Sequence, residues 1–114
     1  MDIEMRSRSV ELTGAFCTQV KRRFDFALGR FESSIRRVVV RFADANGDRS
    51  GVDKRCKVAV YLPSSLAVFI EDTDADLDTV VDRVAQRTAQ SVMRALNRQR
   101  ERGARALRLV DAIN

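Results

Sequence analysis

The chain opens by alternating apolar and polar residues: Met1, Ile3 and Met5 are separated by Asp2 and Glu4, the period of a strand with one buried face. From Thr13 the spacing changes. Phe16, Val20, Phe24, Ala27 and Phe31 recur at three- and four-residue intervals, which predicts an amphipathic helix over residues 13–31 with Thr13 as its N-cap. Alternation returns in "IRRVVVRFAD", with Val38, Val40 and Phe42 on one side and Arg37, Val39 and Arg41 on the other. A third strand turns Cys56, Val58, Val60 and Leu62 inward. Pro63-Ser64-Ser65 makes a tight turn into a fourth, where Leu66, Val68 and Ile70 face the core. A last helix over residues 75–102 carries a buried stripe of Val81, Ala85, Thr88, Val92, Ala95 and Leu96.

The order β-α-β-β-β-α predicts an α+β two-layer sandwich, a four-stranded sheet covered on one face by two helices. At 114 residues there is room for one core and not for two. The domain is placed at residues 1–102, and "GARALRLVDAIN", residues 103–114, is set apart as a short C-terminal tail able to add a turn or two of helix.

Two acidic stretches invite a metal reading. In "DANGDRSGVDKR", residues 44–55, oxygen side chains alternate as in a calcium loop, but the sixth position is Arg49 and the twelfth Arg55, where calcium needs glycine and a bidentate glutamate. Asn46-Gly47 and Ser50-Gly51 instead predict turns between strands. "EDTDADLDTVVD" is better read as a helix start, with Thr73 or Asp74 as cap and Asp76 and Asp78 in the first turn, where the helix dipole favours negative charge. No metal and no cofactor is expected.

Composition narrows the function. Lys plus Arg number 21 against 16 Asp plus Glu, a formal charge of +5, and only Lys21, Lys54 and Lys57 are lysines. Arginine is the side chain best shaped for forked contact with phosphate. Histidine is absent, which removes the commonest general base and transition-metal ligand, so an enzyme would have to work with carboxylates alone. Cys17 and Cys56 lie in apolar patterns and read as buried thiols. No apolar run is long enough to span a bilayer, and a cytoplasmic location is expected.

At 100° per residue, Arg83, Arg87, Arg94, Arg98 and Arg102 share an arc of about 100° on the last helix, and Arg105 joins them if the helix continues. Asp82 and Glu101 lie only at its edges, so the helix itself supplies the arc with no acidic partner. Gln19, Arg23, Phe26 and Arg30 form an outward stripe on the first helix. Side by side, the helices are expected to merge these stripes into one basic, phosphate-binding surface containing an aromatic ring.

These motifs resemble those of the ribosome-hibernation family, which includes hibernation promoting factor and ribosome-associated inhibitor A and is also called the sigma-54 modulation family. The resemblance covers residues 1–100 and rests on "TGAF" opening the first helix, on "DANGDRSGVDKRCKVAV", and on "IEDTDADLDTVVDRVAQR". It implies a fold similar to the double-stranded-RNA-binding domain. It further implies a non-enzymatic protein that binds ribosomal RNA of the small ribosomal subunit in the channel for messenger and transfer RNA, and that inhibits translation under stress or in stationary phase. Arg23, Arg87 and Arg94 match basic positions of the family, while Phe26, Gln90 and Met93 stand where relatives often carry lysine or arginine. Arg30, Arg83, Arg98 and Arg102 complete the expected RNA-binding set.

The second, dimerising domain of long-form relatives has no counterpart here, so a short-form monomer is expected, with no membrane and no small-molecule substrate among its partners. The alternatives are a general structured-RNA-binding module without ribosome specificity, an aspartate-based hydrolase and a sigma-factor partner. Selective sedimentation with small subunits separates the first alternative from a hibernation factor.

Overall fold

The structure, a computed structural model, describes residues 1–8, 10–44 and 53–113, with side chains as far as Leu107. Strand β1 (Asp2–Arg8) leads into helix α1 (Gly14–Leu28), which tightens into a 3-10 helix (Gly29–Ser34). Strands β2 (Arg37–Asp44), β3 (Lys54–Tyr61) and β4 (Ala67–Asp74) follow, then helix α2 (Leu77–Ile113). The sheet order is β1-β2-β3-β4. β1 runs parallel to β2, which the α1 crossover permits, and the other two pairs are antiparallel. This is the two-layer α+β sandwich expected from the periodicity.

The core lies between the helices and one face of the sheet. Val38, Val40, Phe42, Cys56, Val58, Val60 and Val68 of the strands, with Leu62 just past β3, pack with Val20, Phe24 and Leu28 of α1 and Val80, Val81, Val84 and Val92 of α2. The Phe16 and Phe42 rings meet edge to face at 5.5 Å, joining α1 to β2. Thr88 is the buried polar residue of α2, and its hydroxyl donates to the Val84 carbonyl at 2.6 Å, so no donor is stranded. Cys56 is buried and Cys17 half-buried; burial pushes the Cys56 thiol up to about 12, which leaves it unreactive at neutral pH.

Caps and turns follow local chemistry. The Thr13 hydroxyl accepts from the Phe16 N–H at 3.1 Å, so the expected N-cap of α1 is present. The cap of α2 is corrected. Thr73 and Asp74 belong to β4, and Asp76 holds the position before Leu77. The Asp76 carbonyl accepts from the Val80 N–H at 3.1 Å and its carboxylate from the Thr79 hydroxyl at 2.8 Å, while the Asp74 carboxylate takes the Asp76 N–H at 3.0 Å.

Ser64 and Ser65 sit at φ 64° and 59°, both left-handed, with the Leu66 N–H returning to the Pro63 carbonyl at 3.4 Å. That is the backbone of a type I′ hairpin turn, made without the glycine or asparagine that usually relieves it.

Two boundaries also differ from expectation. α1 ends at Leu28, with Arg30 and Phe31 carried on the 3-10 segment. Gly103 does not stop α2, whose backbone stays helical to Ile113. The turn dipeptides Asn46-Gly47 and Ser50-Gly51, with most of the calcium-like stretch, lie outside the described residues. Asp44, the first of that series, ends β2 with its carboxylate 3.5 Å from Lys54 Nζ. Among the described residues no group of His, Cys, Asp and Glu is placed to hold a metal ion, and no helix is long and apolar enough to cross a membrane.

Candidate nucleic-acid interface

The arginine arc of α2 lies along β4, and α2 runs antiparallel to that strand. Its first half meets the acidic end of β4. Arg83 Nε donates to Asp72 Oδ2 at 3.0 Å, and its Nη2 reaches Asp74 Oδ2 at 3.1 Å and the Thr73 carbonyl at 2.9 Å. Arg87 Nη1 takes the Glu71 carbonyl at 3.1 Å and Asp72 Oδ2 at 3.3 Å. The expectation that the arc has no acidic partner is therefore corrected: the partners come from the neighbouring strand, which helical geometry alone does not reveal.

The carboxylates register this pairing. Burial works to raise Asp72, but the Thr73 N–H and the Arg83 guanidinium outweigh it and hold the group below the usual carboxylate range. Asp74 is likewise lowered, chiefly by the Asp76 N–H and, against some burial, by Arg83.

The second half of the arc is different. Arg98 and Arg102 line a recess with Ser64, Leu66, Ala67 and Val68, where the turn and the start of β4 offer no carboxylate. Arg94, Arg98 and Arg102 have no ion-pair partner among the described residues; the Arg98 Nε contact to the Arg94 carbonyl, at 3.4 Å, is long.

The stripe on α1 does not merge with this arc. Arg23 turns inward across the helix pair, with Nη1 3.0 Å from Asp82 Oδ1 and 3.0 Å from the Asp78 carbonyl. It ties α1 to the start of α2. Between the helices runs a groove of about 700 Å³, its polar lining being Arg22, Arg23, Asp82, Gln86 and Gln90. Phe26 stands at this groove and is 93% exposed. The arc of arginines lies on the other flank of α2, because the residues turned toward α1 are Asp82, Gln86 and Ala89, roughly 100° around the helix from Arg87 and Arg94. Arg30 lies over the Phe31 ring at 4.7 Å, a cation–π contact at the start of the 3-10 segment.

The expected site residues thus fall into three sets. Arg23, Arg83 and Arg87 brace the fold while staying partly exposed, Arg94, Arg98 and Arg102 form an unneutralised row, and Phe26 shares the groove with Arg23 while Arg30 stands apart. Gln86 and Arg22, which line the groove, were not singled out by the sequence; their four-residue spacing from Gln90 and Phe26 was the available signal.

No family model matches the chain, and no curated protein does so. Among solved structures, a ribosomal subunit interface protein from Coxiella burnetii superposes with a TM-score of 0.70 at 15% identity, covering 85% of this chain and 99% of that one. The N-terminal domain of Protein Y from Thermus thermophilus superposes with a TM-score of 0.69 at 26% identity, covering 82% of this chain and 98% of that one. The likeness to a ribosomal subunit interface protein and to Protein Y bears out the resemblance drawn from the sequence motifs.

Proposed function

We propose that this protein is a ribosome-binding inhibitor of translation of the hibernation type, acting in the cytoplasm of stressed or stationary cells. It seats its helical layer on ribosomal RNA of the small subunit, in the channel that messenger and transfer RNA use. The observation that carries this reading is the unneutralised row Arg94, Arg98 and Arg102 on a fold shared with a ribosomal subunit interface protein and with Protein Y. Three guanidinium forks on one helix flank suit consecutive phosphates. The exposed Phe26 ring, at the groove between the helices, suits an unstacked base. Arg83 and Arg87, half-exposed beyond their carboxylates, add to the field without being free to reorient.

Inhibition on this reading is occlusion and requires no bond to be made or broken. The protein acts as a monomer, and an idle subunit holding it cannot accept message or initiator transfer RNA. Co-sedimentation with purified small subunits, challenged with messenger RNA, tests the proposal. Displacement by message and failure to bind large subunits are expected. Equal binding to small subunits and to an unrelated folded RNA of similar length would favour the general RNA-binding module instead.

A further inference from the structure

The face of the sheet turned away from the helices is organised by strand register into cross-strand rows. One row is Glu4, Val39, Ala59 and Phe69, and the adjoining row is Arg6, Arg41, Lys57 and Glu71. In that second row three cations stand side by side on neighbouring strands about 4.8 Å apart. Like charges directly opposite each other weaken a sheet, so the row carries a cost that packing does not explain.

Neutralisation within the face is incomplete. Glu4 is shared by Arg6 and Arg37. Glu71 Oε1 lies 3.1 Å from Arg55 Nε, at an angle too poor for a hydrogen bond. Arg41 and Lys57, both exposed, have no ion-pair partner among the described residues, and neither has Arg8 in the next row.

Beside these free cations are two aromatic rings. Phe69 is 70% exposed and Tyr61 39%, although each is on a regular strand with an intact core behind it. The rings meet edge to face at 6.5 Å. Arg41, Lys57, Tyr61 and Phe69 line one recess with Val39 and Ala59, so cations and rings address the same space.

We infer that this open sheet face is a second nucleic-acid surface, one that takes a single-stranded stretch of RNA with its bases on Phe69 and Tyr61 and its phosphates over Arg41, Lys57 and Arg8. Charge complementarity selects the occupant. A second copy of the chain would set a net-positive face against itself. An acidic peptide would satisfy the cations but leave the rings without flat partners, and a duplex would offer phosphates with its base faces hidden. Unpaired RNA supplies both charge and exposed π-faces. The rows hold no Asn, Gln or His to read base edges, so the surface is tolerant of sequence. This inference stands on the layer opposite the helical arginines and does not depend on the ribosome reading.

The chain supplies its own reporter, because it has one tyrosine and no tryptophan. Titrating the protein with a decamer of oligouridine is expected to quench Tyr61 emission saturably. Anisotropy of the labelled decamer should show binding weakened about tenfold by Phe69→Ala, and further by Arg41→Glu with Lys57→Glu. Phe69→Ala should still sediment with small subunits, which separates failure here from failure of the proposed function. Binding without Tyr61 quenching, an unchanged affinity in Phe69→Ala, or equal binding of a duplex of the same length overturns the inference. Stronger quenching by polyglutamate than by oligouridine would assign the face to a protein partner and overturn it too.

Discussion

The two halves of α2 carry the same residue type on the same stripe, yet β4 divides them. Arg83 and Arg87 lie over Asp72 and Asp74 at the acidic end of the strand, whereas Arg98 and Arg102 lie beside Leu66, Ala67 and Val68 at its start, and Arg94 precedes them on the same stripe. Because helix and strand run antiparallel, the early arginines meet the late strand residues. A stripe of like charge is therefore not one functional unit. The near half secures the helix to the edge strand, and the far half is left to seek counter-charge outside the molecule.

The sharpest way to break this distinction is to reverse charge in each half separately. Arg94→Glu, Arg98→Glu and Arg102→Glu together should lower small-subunit affinity on the order of 100-fold or more, by setting carboxylates against phosphate, while the melting temperature stays level. Arg83→Ala with Arg87→Ala should do the converse, lowering the melting temperature by a few degrees and weakening binding much less. Equal losses of binding from the two variants, with both still folded by circular dichroism, would show that the whole stripe acts together.

Salt sharpens the same contrast. If the three distal arginines each neutralise one phosphate, affinity should fall on the order of 20- to 40-fold between about 50 and 200 mM salt. The distal charge-reversal variant should lose most of that slope, and the near-half variant should keep it. Identical slopes would move the phosphate contacts elsewhere.

A smaller effect separates the halves by pH. Asp72 and Asp74 have folded values lowered below their unfolded ones, so their stabilisation is present above the unfolded value, about 4, and is lost as pH falls through the lowered folded values. Glu4, held down by its hydrogen bonds to Arg37 and Arg6, adds to the same window. Replacing Asp72 and Asp74 by asparagine should lower stability at neutral pH and flatten its decline below about pH 4. Thermal melts across that range would show the wild-type and variant curves converging toward acid. Parallel curves would mean that the near half is not a clamp.

The smallest expected change serves as a control on the fold. Ser64→Asn with Ser65→Gly should relieve two left-handed residues at the β3–β4 turn, adding about 1 kcal/mol of stability and raising the melting temperature by roughly 4 °C. Binding should not move, because the turn borders the distal row without supplying a charge. A fall in stability would mean that the serines make contacts the turn needs.

Much of the fold was legible in the chain because burial imposes a period. Met1, Ile3 and Met5, the inward residues of β2 and β3, and the α2 stripe from Val81 to Leu96 all face the core as their spacing predicts. The Thr13 cap was legible too, since its chemistry is local. The cap of α2 was not: Asp74, Asp76 and Asp78 stand within five residues, the pattern suggests Thr73 or Asp74, and only the end of β4 selects Asp76. Val39 shows the limit from the other side. Alternation places it outward, and outward it is, yet it is 4% exposed because neighbouring strands and the side chains of the open face close over it.

The sequence by itself determined the element order, the inward residues, the excess of arginine and the outward direction of the arginine arc. Those depend on composition and on separations of a few residues along one element. Only the tertiary structure decided that Arg23 is tied to Asp82, that Arg83 and Arg87 are clamped by Asp72 and Asp74, and that Tyr61 and Phe69 share a recess with Arg41 and Lys57. The pairing of Arg23 with Asp82 joins residues about half the chain apart, and the others depend on how strands are ordered and on which way a helix runs across them. Electrostatic pairing is set by distance in space, and a periodic sequence specifies the face of a residue without specifying its neighbour.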